Sequence, residues 1–123
     1  RRWNLDDPRY KGAPHNKSDA IVDYEYSIAI ENSSYNNYIT EKFFDLTVCN
    51  TVPIYYGAPN IVDVYPAQSF IEIDFSGPIE KTVEQIVDIY HNDNYQERLP
   101  HVLRAKELYY TKYNRVPFLC ARI

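Results

Sequence analysis

Glu31, Asn32, Tyr38, Glu41 and Lys42 all fall in one run, ENSSYNNYITEKFFD, at residues 31–45. An aliphatic segment precedes it and a helical pattern follows. Thr40 suits the N-cap of that helix, which puts Glu41 and Lys42 in its first turn. Unpaired backbone N–H groups and the positive dipole end favour an anion there, and Lys42 adds a full charge. Phosphate is the guest this chemistry fits. Glu41 repels phosphate and suits hydroxyl donors such as a ribose or another sugar, while Tyr38 can cover a base or a ring face. A plain capped helix with a solvated Glu-Lys pair accounts for the same residues, and Asn32 is equally a turn-forming asparagine. The residue types alone leave both readings open.

Other chemistries are scarce. With only three glycines, neither GxGxxG nor GxxxxGK can be written, and no nucleophile elbow is present. His15, His91 and His101 are scattered and read as surface residues, and no DxD or HExxH pair offers a metal site. Cys49 and Cys120 match no zinc or CxxC spacing; they read as a buried helical thiol and a thiol near the terminus. Thirteen Lys and Arg against 17 Asp and Glu give a formal net charge of −4, with both signs interspersed, which argues against a nucleic-acid or anionic-membrane surface. No apolar stretch approaches the roughly 20 residues of a membrane span, so the chain as given is expected to be soluble.

The elements that must position these residues follow from the patterning. At 123 residues, 45% of them hydrophobic, the chain has material for one domain with a genuine core. Residues 1–20 are polar, carry Pro8, Gly12 and Pro14, and read as a linker or irregular arm. Residues 21–123 read as the domain. YSIAI at 26–30, TVPIYYG at 51–57 and SFIEID at 69–74 are of strand length. Phe43, Leu46 and Cys49 recur at helical spacing between the first two. After the third, Ile79, Val83, Ile86, Val87 and Tyr90 share one helical face, with Ser76 as cap and Pro78 in the first turn. A last helix spans about 95–113, bending or restarting at Pro100, and Pro117 ends it. This order predicts an α/β fold: a Rossmann-like parallel sheet flanked by helices, with right-handed crossovers. Ligands of such sheets bind beyond the carboxyl ends of the strands, here at Glu31, Asn32, Gly57 to Asn60, Asp74 and Phe75. Gly57 allows close backbone approach there, or simply a strand-to-helix turn.

Residues 24–75 carry more than a pattern. YSIAIENS, then NYITEK, then VPIYYG, then PAQSFI resembles the α1,3/α1,4-fucosyltransferase signature F-x-L-A-F-E-N-S, D-Y-I-T-E-K, V-P-V-V-x-G, P-x-x-S-F-I in order and spacing. LTVCN replaces the usual small-residue helix end, and GAPNIVDVYPAQ is a shortened form of the next loop. The resemblance implies the carboxyl-terminal half of a two-domain GT-B type glycosyltransferase, which binds GDP-fucose. It implies inverting transfer of L-fucose to a GlcNAc-type hydroxyl in α1,3 or α1,4 linkage, with no metal or other cofactor required for donor binding. Carried over residue by residue, Lys42 is the diphosphate contact and Glu41 the contact to ribose or fucose hydroxyls and a candidate catalytic group. Tyr38 and Asn32 shape the nucleotide pocket; Glu31 and Gly57 complete the donor-binding set.

The base that deprotonates the acceptor belongs, by the same resemblance, to an amino-terminal acceptor domain that these residues do not contain. A donor-contacting arginine usually precedes the signature, and Arg1, Arg2 and Arg9 all compete for that match. Entry without a starting Met, directly into RRWNLDDPRY, suggests a piece of a longer protein, inactive alone. Expected partners are GDP-fucose, an oligosaccharide or lipopolysaccharide-type acceptor and the amino-terminal domain, with no nucleic acid. Sequons at Asn16 and Asn32 bear on location: a glycan on Asn32 would fill the donor site. That favours a bacterial-type protein, cytoplasmic or peripheral on the inner membrane, over a Golgi-lumenal one anchored through a segment outside this sequence. The competing expectations are a non-catalytic nucleotide-sugar module, a transferase for another GDP-sugar and a structural interaction domain.

Overall fold

The computed structural model describes residues 8–10 and 12–114. Arg1, Arg2, Pro117 and Cys120 lie outside the described residues. Three strands pair in parallel in the order β1 (Tyr26–Ile30), β2 (Val52–Tyr56), β3 (Ile71–Glu72). Helix α1 (Glu41–Val48) carries the chain from β1 to β2, and α2 (Ile79–Asn92) and α3 (Tyr95–Leu108) follow β3. The polar arm is exposed through its described residues up to Ala20; it closes on a short 3₁₀ turn, Lys17–Ala20, whose Lys17 pairs with Asp45.

β2 is the central strand and is covered on both faces, which is why VPIYY is apolar without alternation. Pro53 is tolerated within it for a geometric reason. The Val52 N–H donates to the Glu25 carbonyl, so in a parallel ladder residues 52, 54 and 56 turn their bonds toward β1. Pro53 faces the other side, where pairing with β3 begins only at Ile54 and Ile71. The missing N–H therefore removes no ladder bond.

On one face, Ala29 and Tyr55 of the sheet meet Phe43 and Leu46 of α1, Ala105 of α3, and Ile61, Tyr65 and Phe70 of the connecting loops. Phe43 is fully buried, with the rings of Tyr55, Tyr65 and Phe70 packed around it at centroid distances of 5.3, 5.0 and 5.8 Å. On the other face, Ile54 and Ile73 pack on Ile89 of α2, with Tyr26, Tyr56, Phe75 and Ile86 at the margin.

Several sequence expectations need correction. The third strand is two residues long, Ile71–Glu72, rather than six, and Ser69 belongs to a 3₁₀ turn, Ala67–Ser69. Pro78, not Ser76, is the N-cap of α2; Ser76 turns back to Asp74, whose carboxylate accepts from its N–H and hydroxyl at 2.7 and 2.6 Å. The expected core stripe of α2 is a flank. Ile79, Val83, Val87 and Tyr90 are exposed, Tyr90 at 82%, and the helix meets the sheet through Thr82, Ile86 and Ile89. Thr82 makes close contact possible because its hydroxyl donates to the Asp74 carbonyl at 2.6 Å. Helix α3 runs through Pro100 without a restart and ends in a π-helical turn, Tyr109–Tyr113. Cys49 sits half-buried at the C-cap of α1, just past the helix, where burial raises its thiol pKa.

One polar clasp ties distant parts together. Arg98 donates from Nε and Nη2 to the two oxygens of Asp93 at 2.6 and 2.8 Å, and from Nη1 to the carbonyls of Gln68 and Phe70 at 3.1 and 3.2 Å. The Tyr26 hydroxyl donates to the same carboxylate at 2.8 Å. The Arg98 hydrogen bond holds the Asp93 carboxyl below its ordinary range, against the opposing effect of burial. Its contribution to stability is therefore complete above the unfolded pKa of about 4 and is lost as pH falls through the lower folded value. In urea titrations, the stability gap between the parent chain and Arg98→Leu is expected to be constant at pH 5–7 and to narrow below about pH 4. A gap that does not change with pH would exclude this linkage.

Candidate functional site

The carboxyl ends of the strands gather the loop 31–40, the start of α1 and the turn after β2. Register Ile30 to Tyr56 sets Glu31 beside Gly57, and the Glu31 N–H donates to the Tyr56 carbonyl at 2.8 Å. From there the loop leaves the sheet and is stapled to the facing turn. Ser34 Oγ donates to the Gly57 carbonyl at 2.8 Å, the Asn37 N–H to Asn60 Oδ1 at 2.8 Å, and Asn60 Nδ2 to Asn37 Oδ1 at 2.9 Å. Asn37 takes the left-handed conformation, φ 65°, which asparagine tolerates better than most residues. Tyr38 is half-buried and its ring lies against that of Tyr35 at 4.7 Å.

Thr40 caps α1 as expected, its Oγ1 accepting from the Lys42 N–H at 3.4 Å. The anion cradle expected of the helix start is largely spent, however. The Thr40 N–H donates to Glu31 Oε1 at 2.8 Å, the Lys42 N–H to Thr40 Oγ1 and the Phe43 N–H to the Thr40 carbonyl at 3.1 Å. What stays available is the Lys42 ammonium, whose side chain is 31% exposed. Its Nζ lies 3.6 Å from Glu31 Oε2 and 3.8 Å from Glu41 Oε1, attracted by both but beyond good hydrogen-bond length from either.

The three acidic and polar candidates divide sharply. Glu41 points outward, 63% exposed; a hydrogen bond from its own N–H, then the charge of Lys42, lowers its pKa and keeps it ionised. Asn32 is exposed at the strand end. Glu31 is turned into the fold: its side chain has no exposed surface, Oε1 accepts from the Thr40 N–H at 2.8 Å and Oε2 from the Thr40 hydroxyl at 2.7 Å.

Gly57 is a close approach of a different kind from the one expected. Its backbone is not left-handed. A Cβ there would collide with the Tyr55 hydroxyl and lie 2.5 Å from Glu31 Cγ. That hydroxyl accepts from the Ala58 N–H at 3.0 Å, and burial pushes its pKa up to about 12. Thus Glu31 and Tyr55, not an incoming ligand, occupy the space that glycine leaves.

Recesses flank this edge. One of about 430 Å³ runs along the outer side of β1, from Lys17 and Ile28 to Lys42 and Asp45. Another, of about 230 Å³, lies at the ends of β2 and β3 among Ser34, Tyr56, Gly57 and Asp74. Among the described residues no cluster of three or more His, Cys, Asp or Glu could hold a metal ion, and no helix is long and apolar enough to cross a membrane. The staples through Ser34, Asn37 and Asn60 were missed from the sequence. The left-handed preference of asparagine was the available signal for a turn, but the pairing spans 23 residues and has no local signature.

The model of glycosyltransferase family 10 (fucosyltransferase) C-term matches residues 6–112. The Alpha-(1,3)-fucosyltransferase FucT of Helicobacter pylori is 26% identical over 79 residues, 64% of this chain and 16% of that protein. The human GDP-fucose protein O-fucosyltransferase 3 is 39% identical over 62 residues, 49% of this chain and 13% of that protein. A crystal structure of an alpha1,3-fucosyltransferase with GDP-fucose superposes with a TM-score of 0.60 at 19% identity, over 84% of this chain and 36% of the other. The sheet and its helices thus have the fold of part of a GT-B fucosyltransferase, and the chain matches about a sixth or less of the length of these two relatives.

Proposed function

Because the chain belongs to glycosyltransferase family 10, the fucosyltransferases, we propose that its carboxyl-edge site is the GDP-fucose grip of an inverting α1,3- or α1,4-fucosyltransferase. The observation that carries this reading is the loosely held Lys42 ammonium at the start of α1, exposed on one side and backed by carboxylates on the other. In transfer, the acceptor oxygen bonds to the fucosyl anomeric carbon while the bond to the diphosphate oxygen breaks and GDP leaves with the electron pair. Lys42 stabilises the charge that gathers on the diphosphate. Glu41, ionised and outward, accepts hydrogen bonds from ribose or fucose hydroxyls; its lowered pKa makes it a weak proton acceptor, so the base belongs to another part of the enzyme. Tyr38 and Asn32 border the nucleotide. Glu31 and Gly57 serve the site by shaping it.

A second reading concerns the acceptor. The likeness to a protein O-fucosyltransferase supports a hydroxyl on a polypeptide beside the glycan hydroxyl that the likeness to an alpha-(1,4)-fucosyltransferase supports. Both readings share the donor.

Isolated chain titrated with GDP by calorimetry is expected to bind, and to prefer GDP-fucose over GDP-mannose and UDP-sugars. Mixed with GDP-fucose and either an N-acetyllactosamine or a peptide acceptor, it is expected to give no efficient turnover. No binding of GDP would sink the donor assignment; efficient turnover would sink the assignment of the base to another part of the enzyme.

A further inference from the structure

Glu31 is the most deeply buried acidic side chain at the site, with the whole residue 4% exposed. Burying a carboxylate is costly unless donors replace its water, so its three partners define its purpose. Two are the N–H and hydroxyl of Thr40, nine residues further along; the third is the Lys42 ammonium. Because the Thr40 hydroxyl donates to Glu31 Oε2, its lone pairs are free to receive the Lys42 N–H, as the cap requires. One carboxylate thus closes the loop 31–40, orients the cap and draws in the Lys42 side chain. Its own N–H is fixed to the Tyr56 carbonyl, and its Cγ lies over Gly57, in the space that a Cβ there would occupy.

We infer that Glu31 is a positioning residue which, through Thr40 and Lys42, sets where the ammonium meets a nucleoside diphosphate. The inference rests on the donor-binding reading above and deepens it. The ammonium is held on its buried side by Glu31, so its exposed side is the one presented to the anion. At 3.6 Å the attraction to Glu31 is one of charge, which leaves the ammonium's donors free to turn outward. Glu31 itself touches no ligand.

The test separates positioning from mere support of the fold. GDP and guanosine are titrated into the parent, Glu31→Gln, Lys42→Ala and the double variant. Glu31→Gln is expected to weaken GDP binding about tenfold, as loss of an oriented charge-assisted contact would, and to leave guanosine within about twofold. In the Lys42→Ala background the same change is expected to alter GDP binding less than about twofold. Equal losses for GDP and guanosine, an undiminished loss without Lys42, or tighter GDP binding would each overturn the inference. Hydrogen exchange in the ligand-free chain supplies an independent reading. In Glu31→Ala the Thr40 and Lys42 amides are expected to exchange at least about tenfold faster while those of Ile54 and Tyr55 keep their protection. Unchanged protection at Thr40 and Lys42 overturns the inference even if the parent fails to bind GDP, a failure that by itself counts against the donor reading.

Discussion

Lys42→Ala is expected to weaken GDP binding by about ten- to a hundredfold while barely changing guanosine binding. The range follows from a charge-assisted hydrogen bond worth about 1.5–3 kcal/mol. The ammonium stands at the start of α1, and the nearby Lys17 is already engaged by Asp45. With the Thr40, Lys42 and Phe43 amides already partnered, the helix end has little left to offer in its place. The affinity of the parent should fall with added salt, and that of Lys42→Ala should fall less steeply, because a screened charge has been removed. The substitution also deprives the buried Glu31 carboxylate of its cation, so a thermal melt must accompany the titration. Parent-like GDP affinity in a folded Lys42→Ala chain would remove the phosphate role.

Gly57→Ala is the other large effect, and it acts on stability. The added methyl meets the Tyr55 hydroxyl and Glu31 Cγ, both anchored: the one by the Ala58 N–H, the other by Thr40. Forced overpacking of this kind costs about 1–3 kcal/mol, and the anchoring puts Gly57→Ala near the upper end. For a domain of this size the melting temperature should drop by roughly 10 °C. Because the backbone at Gly57 is not left-handed, the cost is steric rather than conformational. Tyr55→Phe would leave the ring's Cζ 2.6 Å from the methyl, so Tyr55→Leu is the change that opens this space, and the double variant should recover part of the loss relative to Tyr55→Leu alone. Strict additivity of the two changes would refute the steric account.

Local pattern told part of this in advance. The strands YSIAI and VPIYY and the Thr40-capped helix are each specified by neighbours in sequence, and they stand where the pattern puts them. SFIEID reads as a full strand because alternation cannot register what happens to a carbonyl. The Phe70 carbonyl is taken by Arg98, 28 residues away, and Ser69 turns its hydroxyl to the Pro66 carbonyl. The stripe on α2 reads as core because periodicity finds a face without knowing how wide the sheet beneath it is. Three strands give that helix room to bury its Thr82, Ile86 and Ile89 edge, with the more apolar flank left outside. At the site, the pattern puts Glu31 at a strand's carboxyl end, where a ligand would meet it. The burial of Glu31 depends on a loop returning to it, which no spacing rule contains.

The Arg98 clasp bears on how such a chain is made. The clasp draws on residues 26, 68, 70, 93 and 98, so it ties β1 to the start of α3 and is complete only once the chain through residue 98 has been synthesised. Contacts of this sequence separation carry a loop-closure cost before they return any energy, and they slow folding. A nascent chain halted before residue 98 lacks the guanidinium that holds Asp93, and its aromatic core lacks Ala105 of α3. In the interval before Arg98 emerges this polar tie cannot form, and apolar surface exposed at that stage favours aggregation.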